Sequence, residues 1–65
     1  MSPQEQSLAE HIRELAEEMV RLDRWATEAS RANRWQRAWD LQISREHARE
    51  HRSELMRELW QYRHG

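Results

Sequence analysis

Apolar residues in the first half of the chain fall at Leu8, Ile12, Leu15, Met19, Leu22, Ala26 and Ala29, with spacings that alternate four and three. That alternation marks one stripe of an α-helix in coiled-coil style. Continued past residue 29, the same stripe would meet Asn33, Gln36, Asp40, Ile43, His47, Glu50, Glu54 and Arg57, of which Ile43 alone is apolar. The second half carries its own stripe at Ala38, Leu41, Arg45, Ala48, Arg52, Leu55, Leu59 and Tyr62, out of phase with the first. The chain therefore changes direction or register between residues 29 and 38; a continuous helix in an oligomeric coiled coil is the rival reading.

Local signals place the breaks. Ser2-Pro3-Gln4-Glu5 reads as a helix start, with Ser2 as N-cap, Pro3 at the first helical position and Glu5 closing a capping box. Asn33 tolerates the left-handed conformation that ends helices and is also a good N-cap, and Gln36 stands where it would close a second box. The expected architecture is all-α: a two-helix antiparallel hairpin, with helix 3 to 31, turn 32 to 33 and helix 34 to 63 in a single domain over 1 to 65. Each helix would be about 42 Å long. Folding there pairs positions whose numbers sum to 67, so Leu8 meets Leu59, Ile12 meets Leu55, Met19 meets Ala48, Ala26 meets Leu41 and Ala29 meets Ala38. Leu15 faces Arg52 and Leu22 faces Arg45; an Arg can lay its methylenes on Leu and carry its guanidinium to water or to a carboxylate such as Glu18.

Seven large apolar residues lie off these stripes: Val20, Trp25, Trp35, Trp39, Ile43, Met56 and Trp60. Val20, Trp25, Met56 and Trp60 are expected to form a second apolar face that joins two hairpins into a four-helix bundle. Trp35, Trp39 and Ile43, with Arg31, Arg34 and Arg37 around them, are expected to bind a protein partner, because Trp and Arg are enriched in binding hot spots.

Composition narrows the functions. Sixty-five residues without Cys exclude disulfides and thiol chemistry, and a chain of this size gains stability by associating. The chain has no apolar run long enough to span a membrane, and its opening MSPQEQ is unlike a secretory leader, so a cytoplasmic protein is expected. Net charge is −1, and all eleven basic residues are Arg. The RANRWQR segment could contact phosphates and stack bases, but Glu28 and Asp40 flank it, and nucleic-acid binding is not expected.

Chemistry is sparse. His47 to His51, HAREH, fits an H-x-x-E-H pattern in which two His one turn apart hold zinc beside a Glu. Glu54 could add an oxygen ligand to His47, Glu50 and His51, which makes a metal-binding bundle a minor alternative. A catalytic site also needs a third ligand, a supporting shell and a substrate cleft, and two long helices offer no cleft, so solvated side chains, no cofactor and no enzymatic activity are expected. Glu46, Glu50, Glu54 and Glu58 form an i,i+4 ladder, ordinarily a solvated face; doubled in a dimer, it could mimic DNA phosphates. In its two helices, Arg-only basicity and surplus Trp, the chain resembles small phage helical-hairpin proteins that take over host regulators, among them anti-activators of quorum-sensing transcription factors. That resemblance implies a dimer that binds and inhibits a host protein such as a transcriptional regulator. Without such a partner, the alternative is a purely structural homo-oligomeric bundle.

Overall fold

In the computed structural model, which describes residues 2 to 65, helix α1 spans Pro3–Arg31 and helix α2 spans Trp35–His64. The two pack along their length as an antiparallel hairpin whose Cα extents are 47 × 15 × 11 Å, a plank one helix thick. A continuous helix is thereby ruled out.

The reversal is built by backbone hydrogen bonds around one left-handed residue. Asn33 has φ 59, and its N–H donates to the Ser30 carbonyl at 3.0 Å, while the Arg34 N–H donates to the Ala29 carbonyl at 2.8 Å. This pair of bonds is a Schellman closure, which satisfies carbonyls left free by the end of α1. It also corrects the second capping box. Asn33 is committed to a left-handed backbone and cannot hold the extended N-cap conformation. Arg34 therefore occupies the N-cap place without a side-chain bond, and α2 starts at Trp35. Gln36 turns forward, its Nε2 donating to Asp40 Oδ1 at 3.1 Å. Replacing Asn33 by Ala should destabilise the hairpin by about 1 kcal/mol, since Cβ crowds the carbonyl in that region, whereas Gly should be neutral within a few tenths. Thermal melts by circular dichroism would show it; an Ala variant as stable as Asn would contradict this account of the turn.

At the open end, Ser2 caps α1 as expected, its hydroxyl accepting from the Glu5 N–H at 3.1 Å. The same hydroxyl donates to the Tyr62 phenol oxygen at 2.9 Å. Glu5 does not complete the box; its Oε1 lies 3.5 Å from Arg63 Nε. These contacts tie the first turn of α1 to the last of α2.

The two stripes meet. Leu22, Ala26, Ala29, Ala38 and Leu41 form a buried cluster near the turn, and Leu8 and Ala48 are also buried. Ile12, Leu15, Met19, Leu55 and Leu59 are half-buried, while Tyr62, at the end of the second stripe, is exposed and serves through its hydroxyl. Arg45 reaches Asp23, Nη1 to Oδ1 at 3.7 Å, and not the exposed Glu18. Arg52 is half-buried, its Nε is buried without a hydrogen-bond partner, and it makes no ion pair among the described residues.

Candidate protein-interaction surface

A plank one helix thick has two broad faces and two edges, and the rotation of about 100° per residue decides where each side chain lies. Val20 and Trp25 are five residues apart, hence about 140° apart around α1. They stand on opposite sides of its buried stripe.

The structure accordingly divides the expected second face. Val20 lines a groove with Ala16, Met19, Asp23, Arg45 and Arg52. Farther along the same face, Met56 and Trp60 line a groove with Ile12, Leu59, Arg63 and His64. Trp60 and His64 are one turn apart, with ring centroids 4.5 Å apart and planes inclined at 57°. Trp25 is on the other face, in a groove with Glu28, Ala29, Ala32, Arg34, Arg37 and Leu41. Val20, Met56 and Trp60 thus lie along one face in two separate grooves, and Trp25 is on the other face.

The expected partner-binding residues spread over the turn end. Arg34 and Arg37 share their groove with Trp25, and Arg31, the last residue of α1, is exposed. Trp35, Trp39 and Ile43 step by four residues, so each turns about 40° farther around α2, from the Val20 face to the outer edge. Trp39 and Ile43 share that edge with Gln42, Glu46, His47 and Glu50. Trp35, Trp39 and Trp60 are 61 to 63% exposed, and Trp25 is 47% exposed.

The histidine motif lies on open helix surface: His47, Glu50, His51 and Glu54 are all exposed. Among the described residues, no group of three or more His, Asp or Glu side chains is placed to hold a metal ion. The Glu ladder is also exposed, with Glu46 Oε2 lying 3.5 Å from Arg49 Nη1. No described helix is long and apolar enough to cross a membrane.

Sequence reasoning treated Arg52 as a tolerated interruption of the stripe and missed its orphaned Nε. The signal was present: Arg52 faces Leu15, and Asp23, the acid on that face, is level with Arg45. The arrangement offers an apolar face carrying an unpaired cation, and near the turn a groove that an indole shares with two Arg side chains.

No protein-family model, curated protein or solved structure matches the chain.

Proposed function

We propose that this chain is a non-enzymatic interaction protein whose turn end binds, and by occupying it inhibits, a host protein such as a transcriptional regulator. Two hairpins associate through the Val20, Met56 and Trp60 face into a four-helix bundle, leaving the Trp25, Arg34 and Arg37 groove open. Trp39 and Ile43, on the outer edge of α2, extend the recognition surface away from the dimer face.

One observation carries the reading: three tryptophans remain more than 60% exposed in a chain whose stripe residues are turned inward. Each such indole leaves roughly 150 Å² of surface in water, worth about 3 to 4 kcal/mol if covered. A small hairpin that leaves so much uncovered gains by giving it to partners. Three Arg against Glu28 make the turn end cationic, which suits an acidic, apolar surface on the bound protein.

The test is capture from a lysate of the source cell by wild type and by an Arg34→Glu, Arg37→Glu double variant, followed by titration of the retained protein. We expect at least a tenfold weaker affinity for the variant, with helicity by circular dichroism and oligomeric state unchanged. Equal capture by both, or no retained protein, rejects recognition by the turn. A purely structural bundle is the competing reading. It requires Trp25 to be covered as well, and so predicts weak acrylamide quenching of a variant that keeps Trp25 as its sole indole.

A further inference from the structure

We propose that the broad face bearing Ile12, Ala16, Val20, Met56 and Trp60 is covered by a second copy of this chain laid antiparallel. The two-fold axis crosses α1 at the level of residue 18 and α2 at the level of residue 49. This rests on the reading that a second copy covers the face, and adds its direction, register and pairing.

Area comes first. A plank of 47 × 15 Å presents roughly 700 Å² in projection, close to the ~800 Å² per partner of a standard stable interface. Self-complementarity then selects the register. In an antiparallel two-fold stack, residues lie level with one another when their numbers sum to a constant. On the exposed flank of α1, a constant of 36 sets Ala16 against the partner's Val20 and Ala9 against the partner's Thr27. The same constant places Arg13 level with the partner's Asp23, and Glu5 level with the partner's Arg31. Each of these charges meets its opposite.

The hairpin ties the two helices together, because residues level with each other in α1 and α2 sum to about 67; the Asp23 to Arg45 and Glu5 to Arg63 ion pairs, both summing to 68, bear that out. One axis therefore sets the constant for α2 near 98 with no freedom left. That value places Gln42 level with the partner's Met56 and Trp35 level with the partner's Arg63, so the outermost indole on this face meets a guanidinium. Arg49 falls on the axis and meets its own symmetry mate. Each Arg49 is already held 3.5 Å from Glu46 of its own chain, so two neutralised pairs meet there and not two bare cations.

With no native Cys, single Cys positions can be labelled uniquely. Nitroxides on Arg49→Cys and, separately, on Ser30→Cys, read by pulsed electron resonance, should give a short distance at 49 and about 36 Å at 30. Sedimentation of unlabelled protein sets the oligomeric state. Arg13→Glu should weaken dimerisation at least tenfold, and adding Asp23→Arg to the same chain should restore it. The loss of the loose, exposed Asp23 to Arg45 pair matters little by comparison. A dimer with close labels at 30, or a charge-reversed double variant as weak as Arg13→Glu alone, overturns the antiparallel pairing while leaving the dimer intact. A chain that sediments as a monomer overturns the covered face altogether, and leaves recognition by the turn to be judged by its own capture experiment.

Discussion

Replacing Leu22 by Ala is expected to unfold much of the isolated hairpin at 25 °C. Leu22 and Leu41 are the two large side chains in the buried cluster, whose other members are Ala26, Ala29 and Ala38. The alanines let the helices approach closely, but they contribute little apolar area each. The leucines therefore supply most of what the cluster removes from water. Truncating a buried Leu to Ala costs about 2 to 5 kcal/mol. A single core in a chain this short supplies about 3 to 5 kcal/mol in total. Loss and total are comparable, so far-UV circular dichroism at a concentration low enough to keep the chain monomeric should show both lower helicity and an early melt. Leu15→Ala is the control: Leu15 is half-buried and faces Arg52, so its truncation should cost less than half as much. Equal losses at the two positions would mean that stability is not concentrated near the turn.

Arg52→Leu should act in the opposite direction and stabilise the isolated hairpin by about 1 to 3 kcal/mol. An unsatisfied buried donor costs stability, and a Leu at this place continues the α2 stripe against Leu15. For a domain of this size each kcal/mol moves the melting midpoint by about 4 to 8 °C. The melt must again be taken at a concentration where the chain is monomeric. A midpoint that stays the same or falls would show that the guanidinium is already served.

Much of the fold was legible because it rests on local rules. The phase slip between the two stripes required a reversal, and Asn33 marked it because Asn accepts the left-handed backbone that side chains generally avoid. The Ser2 cap followed from its place before Pro3. The second capping box failed since one residue cannot serve two backbone conformations, and the open-end contacts of Tyr62 and Glu5 were illegible because they join residues 60 and 58 positions apart.

The candidate surface was less legible. Surplus indoles were visible in the composition, but grouping Val20 with Trp25 mistook separation from the buried stripe for a shared side. Periodicity along one helix determined the stripes, the caps, the place of the turn and the list of side chains left over. That Val20 shares a face with Met56 and Trp60, that Trp25 shares a groove with Arg34 and Arg37, and that Asp23 pairs with Arg45 was decided by tertiary structure alone. A helical period gives each residue an angle about its own axis. Which flank of α1 lies beside which flank of α2 depends on how the left-handed turn rotates one axis against the other.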